Sequence, residues 1–291
     1  MISFKNAVEY NVSTLPLYIK QENILNYPNH ATTPHFDSDM ETIYIFSGSM
    51  YIIINGESIL LNEKEVCVID SGCMHYFTSN QDKECIFYSG LCNESLFSGA
   101  QLIQDKYINP IFHSFHPNYA IIRKDNPILP SIIALYSSIK ELTIHKNEAY
   151  ELLLVSKIHE YIALLSLALP DSFFLKNPVS SNDFTSFQKM VHFIYTNYGE
   201  KITIDDLSNI GNVSRKHCYK LFYKYASKTP NDFLMDYRLD KAKNLLKQSN
   251  ISIADIAMSC GFSHQSHFTT HFKKMYGITP NAYRNDSKIF M

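Results

Sequence analysis

The sequence predicts an α+β protein with two domains: a β-barrel followed by helices, and then an all-α domain of two helix-turn-helix units joined by a helix. Three observations support this. Short β-branched and aromatic runs fill residues 10–112, apolar residues recur at helical spacing from about residue 129, and one pattern occurs twice near the C-terminus. With 291 residues, the chain is long enough for each domain to bury its own core.

The predicted strands are short and are separated by turn residues. They cover residues 43–46, 50–54, 58–61, 66–69 and 85–88, with Ser47-Gly48, Asn55-Gly56 and Ser71-Gly72 between them. The Asn55-Gly56 pair is a strong hairpin signal, because both residue types tolerate positive φ. Short strands at this spacing indicate a sandwich or a small barrel.

Two apolar stripes at helical spacing follow the strands, within residues 128–169. The second and wider stripe runs from Leu152 to Leu169, where Pro170 stops the helix. Packing on the β domain is the simpler explanation for this wide face, and pairing with a second copy is the alternative. The stretch that follows contains prolines and several Ser and Asn, so residues 171–183 are predicted to link domains 1–170 and 184–291.

Charge is distributed unevenly along the chain. Residues 183–291 carry fifteen Lys and Arg against nine Asp and Glu, a net of +6, whereas residues 1–182 have a net of −8. A basic surface is typical of domains that neutralise nucleic-acid phosphates, and a solvated basic face without a partner is the alternative. The six cysteines form no CxxC pair, which argues against structural zinc and disulfides. With neither a signal segment nor a membrane-length apolar run, we expect a cytoplasmic protein without membrane contact.

The C-terminal pattern occurs over residues 202–230 and again over residues 251–280. Each copy consists of a short helix, a turn and a longer helix that ends before Thr-Pro. Gly211 and Gly261 align at the turn, where we expect each to adopt an unusual backbone angle. The offset between the copies is forty-nine residues before the glycine and fifty after it, so they differ by one residue in the loop.

Both copies carry local signals for their helices. Thr203 and Ser252, each followed three residues later by Asp, have the spacing of a capping box. The longer helices, about 214–226 and 264–276, are apolar on one face and polar on the other, as a helix that enters the major groove must be. A connecting helix at 231–247 would fix their separation, and about 34 Å would match one turn of DNA. An α-solenoid is the structural alternative, although solenoids usually need three or more repeats.

Several stretches of this C-terminal region resemble the signature of the AraC/XylS family of bacterial transcription regulators. They are residues 238–246, 252–257, 260–263 and 276–284, within a resemblance that spans about 184–285. The resemblance implies two helix-turn-helix subdomains that bind double-stranded promoter DNA, and a ligand-responsive N-terminal domain of cupin type. We also expect a homodimer, with RNA polymerase as a possible further partner.

The resemblance assigns base-facing positions on both longer helices. These positions are Arg215, Lys216, Tyr219 and Lys220 in the first copy, and Gln265, Ser266, Thr269 and Thr270 in the second. Lysine and arginine can donate to guanine O6 and N7, and a tyrosine can contact a thymine methyl group or a phosphate. Thr270 departs from the family pattern, which often has arginine there, so the second copy is expected to read DNA more weakly. Arg238 is expected to bridge helices rather than to touch bases.

The β domain contains partial cupin motifs. His35, Asp37 and Glu41 follow the spacing of the first motif, with Asp37 in place of its second histidine, and His75 belongs to the second motif. Two histidines and two carboxylates could bind a divalent metal, contact a polar ligand or be structural. The family mostly binds an organic ligand here without metal, so we expect neither metal nor cofactor. The candidate ligand contacts are His35, Asp37, Glu41, Tyr44 and His75.

The resemblance thus implies a ligand-responsive transcription regulator, and not an enzyme, with a sugar or an amphipathic, fatty-acid-like effector. Two alternatives stay open. One is a metal-dependent cupin enzyme fused to a DNA-binding domain, and the other is a dimeric DNA-binding protein without a ligand. The sequence leaves open the effector, the target promoter and whether the protein activates or represses, although activation is the expectation. It does not decide whether helices 128–169 or the barrel would form the dimer.

Overall fold

The computed structural model describes residues 10–12, 15–97, 99–112, 119–170, 173 and 182–289, with side chains as far as residue 285. The chain divides into two compact units, one within Ser3–Val179 and the other within Ser180–Met291. Most of the predicted linker, residues 171–183, lies outside the described residues. Its last two residues, Asn182 and Asp183, already belong to a helix.

The N-terminal unit is built on antiparallel strands. They are β1 (Leu17–Asn23), β2 (Met40–Ile54), β3 (Glu57–Asn62), β4 (Val66–Ile69), β5 (His75–Ser79), β6 (Cys85–Cys92) and β7 (Tyr119–Ile122). One set has the order β1-β6-β2-β4-β7, while β3 and β5 pair with the second half of β2. Strand β2 therefore joins the two sets of strands.

Strand β2 is continuous through Ser47 and Gly48, where the sequence predicts a turn between two strands. The register with β6 shifts between Ile45 and Ser47, and Gly48 has a φ of +84°. A Cβ at position 48 would lie 2.4 Å from the carbonyl oxygen of Glu84. The glycine thus permits a bulge, and the predicted turn at this position is wrong.

The second predicted turn is confirmed. Asn55 and Gly56 have φ values of +50° and +85°, and they join β2 to β3 with Ile54 paired to Glu57. Two positive φ values in a two-residue loop match the right-handed twist of the strands that it connects. Local sequence was sufficient for this hairpin.

Two helices, α1 (Leu129–Ile144) and α2 (Tyr150–Ala168), follow the strands. Ile132 of α1 and Leu154 of α2 share one hydrophobic core with Val66 and Val68 of β4. Packing of this stripe on the β domain is therefore confirmed. Part of the wide apolar face stays exposed, including Leu152, with 71% of its surface accessible.

The C-terminal unit is helical. Its helices are α3 (Asn182–Asn197), α4 (Ile204–Gly211), α5 (Arg215–Ala226), α6 (Pro230–Gln248), α7 (Ile253–Ser259), α8 (Gln265–Tyr276) and α9 (Pro280–Ile289). The two longer helices and their connector thus lie within one residue of their predicted bounds. Across the described parts of both units, no helix combines the length and the apolar character that crossing a membrane requires.

The predicted capping boxes are confirmed in one copy and half formed in the other. The Thr203 hydroxyl accepts from the Asp206 amide at 3.2 Å, and the Asp206 carboxylate accepts from the Thr203 amide at 2.8 Å. Ser252 accepts from the Asp255 amide at 3.0 Å, but the Asp255 carboxylate accepts from the Ser252 hydroxyl and not from its amide. The start of α4 is therefore held by two backbone bonds, and that of α7 by one.

The two aligned glycines differ in conformation. Gly261 has a φ of +78°, as predicted, whereas Gly211 ends α4 without a positive φ. In the first copy Asn212 is the left-handed residue, with a φ of +52°. Gly211 is constrained by packing instead, because a Cβ there would lie 2.9 Å from Sδ of Met190.

Candidate nucleic-acid interface and barrel site

Helix α5 is anchored by its apolar face. Its buried residues are Cys218, Leu221, Phe222, Tyr225 and Ala226. The Phe222 ring meets Phe187 of α3 edge-on at 5.1 Å and Phe233 of α6 edge-on at 5.5 Å. Because α3 and α6 both pack against the same side of α5, the opposite side of α5 faces solvent.

The solvent face of α5 is cationic and aromatic. Lys216 and Lys220 are exposed, and Tyr219 has 41% of its surface accessible. Arg215 is also exposed and forms an ion pair with Asp205 of α4. Such surface pairs are weak, so Arg215 could exchange Asp205 for another anion. The structure brings the four predicted positions of the first copy together on one face.

Sequence reasoning missed Tyr223 on the same face. It lies one helical turn beyond Tyr219, and 67% of its surface is accessible. Spacing of four residues places two side chains on one side of a helix. The sequence did offer a signal for it, namely an aromatic residue four positions after Tyr219 and outside the apolar positions that α5 buries.

Helix α8 shows a different outer face. Phe268 and Phe272 are buried, while Gln265, Ser266 and Thr270 are exposed and Thr269 is half-buried. The Thr270 hydroxyl donates to the Ser266 carbonyl at 3.0 Å, within its own helix. The predicted positions of the second copy therefore share one face as well, but these four side chains carry no charge.

Two histidines accompany this face. His267 and His271 lie with their Nε2 atoms 2.9 Å apart. Burial is the main cause that lowers the pKa of His271, and the neighbouring His267 and Lys274 lower it further. The lowered pKa favours the neutral form of His271.

Arg238 of α6 bridges the two halves of the C-terminal unit. Its Nε donates to the carbonyl of Tyr198 at 2.7 Å, and its Nη2 donates to the carbonyl of Glu200, also at 2.7 Å. Both carbonyls lie just beyond the end of α3. With these two bonds to backbone carbonyls, Arg238 has the bridging position that the sequence predicts.

The barrel site begins with two paired histidines. His35 and His75 exchange backbone hydrogen bonds of 3.0 Å in each direction, and their ring centroids are 4.3 Å apart. Nδ1 of His35 lies 2.8 Å from the Thr33 carbonyl, and Nδ1 of His75 lies 3.0 Å from the Cys73 carbonyl. A carbonyl only accepts, so each Nδ1 carries a hydrogen and each Nε2 turns toward the carboxylates.

Two carboxylates complete the cluster. Asp37 Oδ2 lies 3.4 Å from Nε2 of His35 and 3.5 Å from Nε2 of His75. Glu41 Oε2 lies 2.7 Å from Nε2 of His75, and both of these side chains are at most 4% exposed. Across the four residues, the atoms able to bind a metal all lie within 4.8 Å of one another.

Burial and ion pairing set the protonation of this cluster. Burial opposes protonation of His75, but Asp37 and Glu41 outweigh it and raise the pKa of His75 to about 10. The pKa of His35 is also raised, because Asp37 and Glu41 outweigh burial and the charge of His75. Burial would raise the pKa of Asp37, yet the two imidazoles hold it below its usual range. The neighbouring carboxylates thus favour the protonated form of both imidazoles.

Tyr44 does not join this cluster. It stacks on Tyr136 of α1 at 5.1 Å and on Tyr88 at 6.0 Å, within the core shared by the sheet and the helices. Glu41 and Tyr44 are three residues apart on β2, and side chains alternate along a strand, so they face opposite sides. The structure therefore brings four of the five predicted ligand contacts together and separates Tyr44.

Sequence reasoning missed Ser89. Its hydroxyl, which is buried on β6, donates to Glu41 Oε1 at 2.6 Å. The contact depends on the register in which Ile43 of β2 lies opposite Ser89. A polar residue inside an apolar strand was the only local sign of it.

Comparisons with known proteins agree with this architecture. Residues 207–286 match the helix-turn-helix domain family, and residues 25–91 match the cupin domain family. The chain is 25% identical to the uncharacterized HTH-type transcriptional regulator YdeC of Bacillus subtilis, over 97% of this chain and 96% of that protein. It is 26% identical to the raffinose operon transcriptional regulatory protein RafR of Pediococcus pentosaceus, over 97% of each.

A solved structure shares the two-domain fold. ToxT from Vibrio cholerae, in its complex with an unsaturated fatty acid, aligns with a TM-score of 0.50 and 13% identity, over 92% of this chain and 94% of that one. The match therefore extends over both units. The chain therefore has a cupin domain in its N-terminal unit and an AraC-type helix-turn-helix domain in its C-terminal unit, and along its whole length it is similar to proteins named as transcriptional regulators.

Proposed function

We propose that this regulator is a one-component switch, in which the C-terminal unit reads promoter DNA and the barrel binds a small effector. The DNA-reading half rests on the solvent face of α5. There Lys216, Tyr219 and Lys220 are exposed while the opposite face is locked by Phe222 and Tyr225. An α-helix with such a face fits the major groove, where lysine can donate to guanine.

The two longer helices, α5 and α8, would contribute unequally to DNA recognition. Helix α5 offers charge-assisted donors, whereas α8 offers Gln265, Ser266 and Thr270, which are neutral. A glutamine can pair with adenine, and hydroxyl groups can contact bases or phosphates. With α6 between them, we propose that α5 and α8 enter successive major grooves on one side of the duplex.

The barrel half of the proposal rests on the buried cluster of His35, Asp37, Glu41 and His75. Buried charged groups favour a ligand with polar or charged atoms over a purely apolar one. RafR is named for raffinose operon regulation, which supports a polar effector such as a sugar. The ToxT structure holds an unsaturated fatty acid, whose carboxylate offers a second chemistry. Either would act by binding two arrangements of the protein with different affinities.

The same proposal includes a cytoplasmic homodimer that activates transcription from its promoter and contacts RNA polymerase there. The relatives are named as transcriptional regulators, which supports a binding role for the barrel and not a catalytic one. Apolar residues that stay exposed on α2, such as Leu152 and Leu167, are available to a second copy.

The DNA-binding half of this proposal can be tested by measuring the DNA affinity of variants with substitutions on α5. The full-length protein would be titrated into labelled DNA from upstream of its own gene at physiological salt, with fluorescence anisotropy as the readout. We expect Lys216→Ala and Lys220→Ala each to weaken binding by about 1–3 kcal/mol, roughly fivefold to 150-fold, if each lysine contacts a base. A lysine that contacts only a phosphate would instead lower the salt slope by about 1.

A lysine outside the helical unit serves as the control. Lys157 lies on α2, where it pairs with Glu160, and Lys157→Ala makes the same change of charge. This variant should retain the affinity of the unmodified protein. Unchanged affinity in both recognition-helix variants would show that α5 does not read DNA.

A further inference from the structure

Two histidines on helix α8 form a site that the proposed reading of DNA does not use. We propose that His267 and His271 bind one divalent transition-metal ion, of the Ni²⁺ or Cu²⁺ class, on the flank of α8. The pair belongs to the C-terminal unit, whereas the histidines and carboxylates of the barrel belong to the N-terminal unit. The inference therefore goes beyond the proposed function, which gives α8 no ligand other than DNA.

The helix itself directs the two imidazoles toward one point. Residues four positions apart lie on the same side of a helix. The Nε2 atoms of His267 and His271 are 2.9 Å apart, and the ring planes stand at 73° to each other with 4.4 Å between the centroids. Two imidazole nitrogens at this separation can share one metal ion in place of the hydrogen that they share now.

The buried face of α8 holds the pair in place. Phe268 and Phe272, which directly follow the two histidines, are fully buried in the core of the second copy. The His267 ring also lies edge-on to the ring of buried Phe262, with 6.0 Å between the centroids. Because packing fixes the helix before an ion arrives, binding does not have to order the backbone.

Both side chains are accessible to an ion, and the environment favours the form that binds it. His267 is exposed and His271 is half-buried. A metal ion binds neutral imidazole, so the lowered pKa of His271 favours its ligand form. Lys274, one of the causes of that lowered pKa, also repels a cation, and the bonds to the two nitrogens must outweigh this repulsion.

The separation of the nitrogens narrows the class of ion. Metal–nitrogen bonds are about 2.0–2.1 Å long, so two ligand nitrogens lie about 2.9 Å apart at a right angle and about 3.4 Å apart at a tetrahedral angle. The observed 2.9 Å matches the right angle. Square-planar and tetragonal sites with nitrogen and oxygen ligands favour Cu²⁺ and Ni²⁺, whereas Zn²⁺ favours a tetrahedron. Two protein ligands leave the remaining positions of the ion to water.

The first copy of the duplicated unit has a different arrangement at the same positions. His217 lies fifty residues before His267, but its Nε2 is 2.8 Å from Oδ1 of Asp183 in α3. Leu221, which corresponds to His271, is fully buried. The pair of imidazoles is therefore a property of the second copy. A bound ion would bring positive charge to α8, whose four predicted base-facing side chains carry none.

A nickel titration of the full-length protein tests the site. Untagged protein stripped with a chelator would be titrated with Ni²⁺ in isothermal titration calorimetry, alongside the variants His267→Gln and His271→Gln. Two ligands on one helix act as a bivalent binder, whose affinity exceeds that of either ligand alone by about a hundredfold or more. We therefore expect each substitution to weaken the binding of one Ni²⁺ equivalent by about a hundredfold.

The control is a histidine on the other unit. His145 is largely exposed beside Glu141, and His145→Gln should bind Ni²⁺ as the unmodified protein does. The two α8 substitutions replace side chains outside the core, and far-ultraviolet circular dichroism would verify that both variants keep their helices. Since the readout is the difference between proteins, an ion bound elsewhere on the chain cancels.

The same titration can refute the site. Unchanged Ni²⁺ affinity and stoichiometry in both α8 variants would overturn it, and so would an equal loss in His145→Gln. The titration contains no DNA, so its outcome does not depend on whether α5 reads the promoter.

Discussion

Two glycines of the second helix-turn-helix unit allow a matched test of its packing. Gly261 and Gly277 have nearly the same left-handed backbone, with φ of +78° and +80°. Alanine at either position therefore costs about 1–2 kcal/mol through its conformation alone. Their surroundings differ. Among the described residues nothing lies within 4 Å of a Cβ added at Gly277, whereas one added at Gly261 would lie 2.6 Å from the Tyr198 carbonyl oxygen and 2.6 Å from Nη2 of Arg238.

Arg238 cannot simply swing away from position 261. Its Nε and Nη2 donate to the carbonyls of Tyr198 and Glu200, at 2.7 Å each. A hydrogen bond from a charged group contributes about 1.5–3 kcal/mol, and a new methyl group at 2.6 Å must break at least one of them or shift the backbone. We expect Gly277→Ala to lower the free energy of unfolding by about 1–2 kcal/mol and Gly261→Ala by about 3–5 kcal/mol.

Urea unfolding of the full-length protein, followed by far-ultraviolet circular dichroism, measures both variants. Hydrogen exchange with peptide-level mass spectrometry would localise the loss, which for Gly261→Ala should include the end of α3 and the part of α6 around Arg238. For Gly277→Ala the faster exchange should stay near the end of α8. Equal decreases in the free energy of unfolding for the two variants would refute the claim that Arg238 and Tyr198 pack tightly against Gly261.

Two further predictions concern stability. Thr203→Ala and Ser252→Ala should each lower the free energy of unfolding by about 0.5–2 kcal/mol in calorimetry, because each removes a hydroxyl that caps a helix by accepting from a backbone amide. Burial raises the pKa of Asp70 to about 7, so the folded chain favours the protonated carboxyl, and stability is lost as the pH rises through 7. Asp70→Asn, which stays neutral, should therefore raise the melting temperature relative to the unmodified protein more at pH 8 than at pH 5. An equal rise at both pH values would contradict the raised pKa of Asp70.

The helical unit was predictable from sequence because its signals are local. Hydroxyl caps, a turn residue and the Thr-Pro endings lie within a few residues of the helices that they delimit, so α5, α6 and α8 lie within one residue of expectation. The strands depend on distant partners. Strand β7 is four residues long and pairs with β4, about fifty residues earlier, and nothing within Tyr119–Ile122 specifies that pairing. Strands β1 and β5 were missed for the same reason.

The barrel site was predictable in part. Motif spacing identified His35, Asp37, Glu41 and His75, which the structure brings together. Tyr44, the fifth predicted ligand contact, lies apart from them, because side chains alternate along a strand and Tyr44 is three residues from Glu41 on β2. Ser89 could not be predicted, since its bond to Glu41 requires the register of two strands nearly fifty residues apart.

The duplicated unit shows that two residues aligned because they are identical need not have the same structural role. In the first copy the amides of Asn212 and Val213 bond to the carbonyls of Asn209 and Ser208. In the second copy the amides of Gly261 and Phe262 bond to those of Met258 and Ala257, forty-nine residues further on in every case. Asn212 and not Gly211 is therefore the equivalent of Gly261, and the extra residue of the second copy lies after this turn and before α8. Asparagine and glycine both tolerate positive φ, so the left-handed position was kept while the residue that occupies it changed.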